Sequence, residues 1–420
     1  MTFINPALES PLATGAAAEP EADFGCEYSA NLPALLKHLN ISLAFTSYQA
    51  QRLMLVRTDG VTLDVNFKHF PRPMGLTADS NGLTLGIFTQ VLQFQREDGL
   101  LPQIKQPLKR IEDDVTAPRL LLQNNGQVAA PQPAAGAAKS SEEEAFEAYQ
   151  TSLYEPVDSR VDACFIARSS HYTGMINIHD VEWGNDGLWV VNSSFSCLSS
   201  LDPRYSFVPR WKPPFISALV AEDRCHLNGM TLKDGQPAYV TTFSTADERG
   251  KWRDGEGFNG TLMDVQRNEI LVAGLAMPHS PRWYRGKVYY CHSGLGQLCC
   301  YDPASGENRV LAEVPGFTRG MDFHGPILVM GLSRVRQTDV SRPAPLAQKY
   351  DETLSGLWFF NLDDLSEIGQ IRFTGNVEQI YDVAVLTGCC FPEIIEPSHP
   401  RMRNHFCHPP MQPLRPEACI

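Results

Sequence analysis

The sequence of 420 residues predicts an all-β chain that folds as a β-propeller of about six blades. One observation is composition by segment: most of the chain consists of short β-branched and aromatic runs bounded by Gly, Pro, Asn or Asp. The clear helical pattern is LPALLKHL, near residue 32. A second observation is that the strands recur as a unit, in which a strand, a turn carrying Gly and another strand follow one another.

The repeated unit begins at six positions, namely Met74, His179, His226, His279, Arg319 and Tyr381. From His179 onward the starts lie 47, 53, 40 and 62 residues apart, which is typical of four-stranded blades with insertions. The longer interval from Met74 to His179 contains a low-complexity run. A seventh blade hidden in the long intervals is the alternative to six.

The two ends of the repeat complement each other. Tyr381 to Gly388 supplies one strand, whereas Ile41 to Phe70 supplies three strands with no first strand before them. We expect the N- and C-terminal strands to share the closing blade, because closure removes the exposed edge of an open array.

Three segments fall outside this pattern because their composition cannot bury much apolar surface. We divide the chain into a mostly disordered arm over 1–40, a propeller over 41–388 with a low-complexity insertion at 124–148, and a Cys-, His- and Pro-rich tail over 389–420. A short helix from Glu142 is expected at the end of the insertion. The tail has enough Cys and His for a second metal site, but their spacing matches no zinc pattern, and a terminal arm is the simpler interpretation.

Charge and composition exclude several classes of protein. The chain has 35 Lys and Arg against 48 Asp and Glu, a formal charge of -13, which argues against nucleic acid as a partner. No window approaches 18 uninterrupted apolar residues, so no membrane span is expected. The N-terminus does not resemble a secretory signal, and the 11 cysteines form no regular framework, so we expect reduced thiols and a cytoplasmic location.

Three histidines occupy the same position in the repeat. His179, His226 and His279 each precede or begin the innermost strand of a blade, so they are expected to converge at one end of the central channel. Three neutral imidazoles with a vacant coordination position are typical of a catalytic metal centre. The sequence therefore predicts a divalent ion, Fe, Cu or Zn, on these histidines; for each one alone, a structural hydrogen bond is the alternative.

Charged residues next to these histidines complete the predicted catalytic set. Asp180 and Asp382 are expected to orient imidazole N–H groups or offset metal charge. Arg224, Arg282 and Arg319 would place guanidinium groups at the channel mouth, where they would hold an anionic substrate group.

Three further residues are predicted to bind substrate. Trp211 lies in YSFVPRWKPPFIS, which would form a rigid loop over the channel mouth, although core packing of Trp211 is an equal alternative. Asn228 follows His226 by two positions, and Trp283 is the neighbour of Arg282.

Several long motifs resemble an uncharacterised, conserved hypothetical bacterial family, a domain of unknown function with a propeller-like repeat. The motifs are HDVEWGNDGLWVVNSSFSCLSSLD, YSFVPRWKPPFISALVAEDRCHLNGM, MPHSPRWYRGKVYY, PGFTRGMDF and VEQIYDVAVL. The similarity runs from about Phe45 to Leu386. It implies shared positions at the channel mouth but no activity; these positions match His179, Asp180, Arg224, His226, Asn228, His279, Arg282, Arg319 and Asp382.

The leading functional prediction is a metal-dependent enzyme that acts on a small molecule or peptide with an anionic group. Zinc would favour lyase or hydrolase chemistry, and iron or copper would favour oxidation or oxygenation. The alternatives are a non-catalytic propeller that binds a peptide or other ligand, and a scaffold that binds proteins through its outer surface.

Overall fold

The computed structural model describes residues 24–110, 141–254, 258–335 and 344–411. The strands up to residue 233 are β1 (Cys26–Tyr28), β2 (Ile41–Ser47), β3 (Arg52–Thr58), β4 (Leu63–His69), β5 (Leu76–Ala78), β6 (Gly82–Gly86), β7 (Gln90–Arg96), β8 (Ala163–Tyr172), β9 (Ile178–Gly184), β10 (Gly187–Asn192), β11 (Cys197–Asp202), β12 (Tyr205–Trp211) and β13 (Leu227–Lys233). The later strands are β14 (Gln236–Thr242), β15 (Gly260–Asp264), β16 (Glu269–Leu275), β17 (Pro278–Tyr284), β18 (Lys287–His292), β19 (Gln297–Asp302), β20 (Glu307–Glu313), β21 (Phe317–His324), β22 (Ile327–Ser333), β23 (Gly356–Asn361), β24 (Glu367–Phe373), β25 (Val383–Thr387) and β26 (Pro392–Ile395). The α-helices of the described ranges are α1 (Leu32–Leu39), α2 (Leu101–Ile104), α3 (Ser141–Ser152) and α4 (Leu346–Lys349).

These strands form six small sheets arranged in a ring, so the described chain is a six-bladed β-propeller. From the channel outward, the blades are blade 1 (β5, β6, β7, β8, β26), blade 2 (β9, β10, β11, β12), blade 3 (β13, β14, β15, β16), blade 4 (β17, β18, β19, β20), blade 5 (β21, β22, β23, β24, β1) and blade 6 (β25, β2, β3, β4). The predicted fold class and the predicted number of blades are confirmed.

The ring closes in blade 6, where strands from the two ends of the chain pair. β25 pairs antiparallel with β2, with Ile41 opposite Thr387 and Phe45 opposite Val383. The closing blade therefore has the composition expected from the sequence, with one strand from the C-terminal side and three from the N-terminal side. Each of the six inner strands of the described ring belongs to a sheet, so the ring has no open end.

Both predicted terminal segments contribute outer strands. β1 pairs with β24 of blade 5, and β26 pairs in parallel with β8 of blade 1. Leu32 and Leu36 of helix α1, one turn apart, are buried in the core between blades 5 and 6, against which Cys26 and Tyr28 of β1 also pack. Residues 1–23, 124–140 and 412–420 of the predicted arm, insertion and tail lie outside the described residues; α3 begins at Ser141, next to the predicted start at Glu142.

The apolar core is divided among the interfaces between blades, which explains the continuous apolar runs in the sequence. In β3, Leu53 and Leu55 pack with blade 1, whereas Met54 and Val56 pack with blade 5. Successive side chains of a strand point to opposite faces, so a strand with a neighbouring blade on each side is apolar at every position. The helices of the described ranges are all too short or too polar to cross a membrane.

Candidate active site

The three predicted histidines come together at one end of the central channel, which we call the mouth. His179 and His279 are the second residues of the inner strands β9 and β17, and His226 directly precedes the inner strand β13. The ring centroids of His179 and His226 are 4.7 Å apart, with the rings perpendicular. Tyr381, just before β25, faces both His179 and His279, at centroid distances of 5.3 and 6.5 Å.

His226 is oriented by a carboxylate. Its Nδ1–H donates to Asp223, at 2.9 Å from Oδ1 and 3.0 Å from Oδ2, and the indole N–H of Trp252 donates to the same carboxylate at 2.9 Å. The imidazole also contacts the rings of Trp252 and Phe243, at centroid distances of 4.1 and 4.5 Å. Because Nδ1 carries the proton that is donated to the carboxylate, the neutral ring has its lone pair on Nε2.

His279 has a different set of partners. Its Nδ1–H donates to the carbonyl oxygen of Met277 at 2.9 Å and to the hydroxyl of Ser293 at 2.8 Å. Nε2 then accepts a hydrogen bond from Nε of Arg319 at 3.2 Å. Burial, assisted by the charge of Arg319, holds the pKa of His279 well below its usual value, so this imidazole is neutral near pH 7.

His179 is buried and bonded to a phenol. Its Nδ1 forms a hydrogen bond with the hydroxyl of Tyr381, and which of the two donates depends on the histidine tautomer. Burial, followed by the nearby His226 and His279, lowers the pKa of His179 well below its usual value. Burial also raises the pKa of Tyr381, so the pair is uncharged near neutral pH.

The backbone around these histidines adopts an unusual conformation. His226, Met277 and Ser280 have φ of 50°, 50° and 49°, in the left-handed region that residues other than Gly rarely occupy. Such residues persist where the surrounding structure holds them, and they cluster at functional sites. His226 and Met277 directly precede β13 and β17, and Ser280 directly follows His279, so these unusual positions lie at or next to two of the imidazoles.

A buried ion network lies directly below the histidines. Arg282 donates from Nη1 to Asp180 at 2.8 Å and from Nη2 to Asp382 at 3.1 Å. Both carboxylates also accept backbone N–H groups of neighbouring blades, Asp180 from Met230 and Asp382 from Leu76, each at 3.0 Å. Burial raises the pKa of Asp382, and the charge of Arg282 opposes that shift. Arg282 is therefore a counter-ion that joins blades, with its guanidinium occupied by two aspartates.

Two more predicted residues have structural partners. Arg224 pairs with Glu222 and Asp247, each at 2.8 Å, and so braces the loops beside the mouth. Asn228 is buried; its amide N–H donates to the carbonyl of Pro278 at 2.8 Å and its oxygen accepts from Thr241 at 3.0 Å. The contacts of Asn228 join β13 to β17 and β14, so the polar groups of both residues are occupied by the protein itself.

The structure places the two predicted tryptophans away from the mouth. Trp211 ends the outermost strand of blade 2, and its indole N–H donates to Asn268 at 2.8 Å. Trp283 stacks on Tyr239 at 5.8 Å and lies under the amine of Lys233 at 4.8 Å. It is four residues along β17 from His279, about 13 Å of extended chain, which separates it from the histidines.

A cavity of about 180 Å³ opens beside His226 at the mouth. It has aromatic walls and contains two arginines. The lining residues are Tyr48, His226, Phe243, Trp252, Met277, Phe317, Arg319, Arg334, Val335, Ala344 and Gln379. Of the predicted site residues, His226 and Arg319 face this cavity.

Tyr381, Trp252 and Arg334 were not predicted as site residues. The repeat carried a signal for Tyr381: it precedes Asp382 as His179 precedes Asp180, so it has the same position in blade 6 that His179 has in blade 2. Trp252 lies in the loop between β14 and β15, and Arg334 just follows β22. Neither position belongs to the repeated strands, so periodicity carried no signal for them.

The predicted metal centre needs a rearrangement of the mouth. Among the described residues, no group of three or more His, Cys, Asp or Glu side chains is placed to hold a metal ion. Nε2 of His279 accepts from Arg319, so Arg319 would have to move before that nitrogen could bind an ion. In favour of a metal, Nδ1 of His226 and Nδ1 of His279 are anchored by acceptors, as is usual for histidine ligands.

Fold and site together define a six-bladed propeller with a buried histidine cluster at one end of its channel. The chain belongs to the family described as "Domain of unknown function (DUF4915)", whose profile matches residues 30–131 and 137–395. The resemblance to an uncharacterised family is thereby confirmed. Comparison with curated proteins gave no match.

Among solved structures, the chain is similar to one in "Crystal structure of Nidogen/Laminin Complex". The TM-score is 0.45 and the identity 10%, over 83% of this chain and 100% of that one. At this level of similarity, nothing about function carries over to the present chain.

Proposed function

We propose that the mouth is an enzyme active site, in which the histidine cluster acts on a small molecule bearing an anionic group. The observation that carries the proposal is His226: its Nδ1 is held by Asp223, and the ring lines a cavity shared with Arg319. A neutral imidazole held in this way can take a proton at Nε2. The guanidinium of Arg319 would hold the anionic group beside it.

The metal-dependent form predicted from the sequence remains part of the proposal. His179, His226 and His279 would bind a divalent ion, Fe, Cu or Zn, with the guanidinium of Arg319 displaced from His279 by the positive charge of the ion. The neutral state of His179 and His279 supports this form, because only a neutral imidazole binds a metal. The reaction would be oxidation or oxygenation with iron or copper, and lyase or hydrolase chemistry with zinc.

Metal titration of untagged, chelator-treated protein tests that form. We expect about one ion per chain, with affinity lowered at least ~100-fold in His226→Ala and unchanged in His38→Ala, because His38 is exposed on α1. Circular dichroism would check that each variant is folded. A wild-type protein without metal affinity would contradict the metal-dependent form and leave acid–base catalysis by His226 as the proposed mechanism.

A non-catalytic binding site is the second candidate, favoured by the four aromatic residues of the cavity wall, Tyr48, Phe243, Trp252 and Phe317. Incubation of the protein with a cell-free metabolite extract, followed by mass spectrometry, separates the two. Enzymatic turnover would deplete a compound with the wild type and spare it with His226→Gln. Retention of an unchanged compound by both proteins would favour binding alone. The predicted cytoplasmic location and absence of a nucleic-acid partner stay predictions.

A further inference from the structure

We infer that the ligand of the mouth cavity is a small carboxylic acid with a flat, apolar body, and that Arg334 together with Arg319 holds its carboxylate. The inference rests on the proposed function for the location of the site and specifies the class of substrate. Four features of the cavity lead to this inference: the side-chain nitrogen of Arg334 that has no hydrogen-bond partner, the available N–H groups of Arg319, the aromatic walls and the volume.

The backbone of Arg334 is held by hydrogen bonds, whereas the Nε nitrogen of its side chain has no hydrogen-bond partner. Its backbone N–H donates to the carbonyl of Glu378 at 2.9 Å, and its carbonyl accepts from the amide of Gln379 at 2.6 Å. The side-chain Nε is buried, yet it makes no hydrogen bond in the described structure. A charged donor without a partner is costly, so the guanidinium of Arg334, a residue that lines the cavity, would gain hydrogen bonds by turning toward an anion there.

The guanidinium of Arg319 is bonded to the protein through Nε, and its two Nη nitrogens are available to a ligand. Nε donates to His279, and the guanidinium lies over the rings of Phe317 and Tyr381, with the central carbon 5.0 and 5.2 Å from the ring centroids. Among the described residues, the two Nη nitrogens of Arg319 make no hydrogen bond or ion pair. A guanidinium held in this way can present a pair of N–H groups to the two oxygens of one carboxylate.

The walls and the volume define the rest of the ligand. Phe243 and Trp252 meet at a centroid distance of 5.3 Å in a nearly perpendicular pair, and Phe317 lies under Arg319. Aromatic side chains of this kind favour a flat apolar group. The cavity of about 180 Å³ is below the ~300–1,000 Å³ typical of pockets for drug-sized ligands, so a molecule of about the size of benzoate fits better than a peptide.

Ligand-observed NMR titration tests this inference with simple probes. Benzoate and phenylacetate are the aromatic acids; benzamide lacks the charge, acetate lacks the ring, and phenyl phosphate replaces the carboxylate. We expect the aromatic acids to bind at least ~10-fold more tightly than benzamide or acetate, because only they engage both the arginines and the rings. Phenyl phosphate is expected to bind less tightly than benzoate.

The matched variants are Arg334→Gln and Arg309→Gln, the latter altering an exposed arginine paired with Glu307 on the outer strand β20. Arg334→Gln should weaken benzoate binding about 10-fold and leave benzamide binding unchanged, whereas Arg309→Gln should change neither. Equal binding of benzamide and benzoate, tighter binding of phenyl phosphate, or no effect of Arg334→Gln would overturn the inference. The two proposals can fail separately. If the protein binds metal or shows turnover that depends on His226, but does not bind aromatic acids, the proposed ligand class is wrong and the proposed active site still stands.

Discussion

His179, His226 and His279 have equivalent places in the repeat, yet each imidazole has its own hydrogen-bond partner. Asp223 holds His226, backbone and hydroxyl oxygens hold His279, and the phenol of Tyr381 bonds to His179. Different partners give the three rings different settings: Asp223 fixes the orientation of His226, which lines the cavity, whereas burial keeps the other two rings neutral. We therefore propose His226, rather than the other two histidines, as the acid–base residue.

The role of Arg282 could not be predicted from the residue and its neighbours in the sequence. Its neighbours in the sequence suggested a substrate contact at the mouth, but its ion-pair partners are Asp180 and Asp382, 102 and 100 residues away along the chain. Residue type alone does not distinguish an arginine that binds substrate from one that neutralises buried carboxylates. That distinction depends on which strands surround the channel.

Replacing Arg282 by Met should destabilise the protein strongly. The change leaves two buried carboxylates without their counter-ion, which typically costs about 3–5 kcal/mol of unfolding free energy. Urea denaturation followed by tryptophan fluorescence would measure the loss. Arg285→Met, three residues further along, is the control, because its pair with Asp363 is exposed and little change is expected. Similar small effects of the two substitutions would contradict the structural role of Arg282.

At the scale of elements, β21 shows how a strand brings a side chain to the mouth. The register with β22 shifts between Arg319 and Met321, and Gly320 between them has φ of 66°. The backbone N–H of Gly320 donates to the hydroxyl of Ser280 at 2.9 Å. A Cβ at Gly320 would lie only 2.6 Å from Cα of Asp382, so this close approach of β21 to β25 requires glycine.

Gly320→Ala should therefore cost more stability than a glycine replacement in open space. Gly306→Ala is the matched control, since Gly306 has φ of 73° and a Cβ there would meet nothing within 4 Å. The left-handed backbone alone accounts for about 1–2 kcal/mol at either site. The collision adds about 1–3 kcal/mol at Gly320. Equal losses in thermal unfolding of the two variants would refute the close approach of the strands.

How far the elements could be predicted depended on their pattern. The inner strands of most blades have apolar runs between turn residues, and α1 has a helical pattern, so these elements could be predicted. The outer strands β1 and β26 have three and four residues and carry no comparable pattern. They exist because distant partners, β24 and β8, offer unpaired edges.

At the scale of the whole molecule, the tail completes blade 1. Phe391, Ile394 and Ile395 are almost fully buried, and Glu393 pairs with Arg57 and Lys68 of blade 6. The tail therefore connects the outer part of blade 1 to the closing blade. The region that looked like a loose arm in the sequence has its first half built into the propeller.

Truncation after Gly388 should destabilise the propeller by on the order of 5 kcal/mol, from the loss of three buried apolar side chains. It would also expose the edge of β8, so aggregation on heating is expected. Truncation after Met411 is the control, because it retains β26 and every contact of the described tail. Differential scanning calorimetry and light scattering would compare the two. A chain ending at Gly388 that melts like the full-length protein would show that β26 is dispensable.

The all-β class, the ring of about six blades, the shared closing blade and the common position of His179, His226 and His279 could all be predicted from the sequence, because strand patterns and turn residues repeat locally along the chain. The pairing of Arg282 with two aspartates, the distance of Trp283 from the mouth and the place of Arg334 in the cavity wall become visible in the folded protein alone. These outcomes depend on contacts across the channel and between blades, where the contacting residues can be a hundred positions apart. Periodicity within a blade carries no information about such contacts.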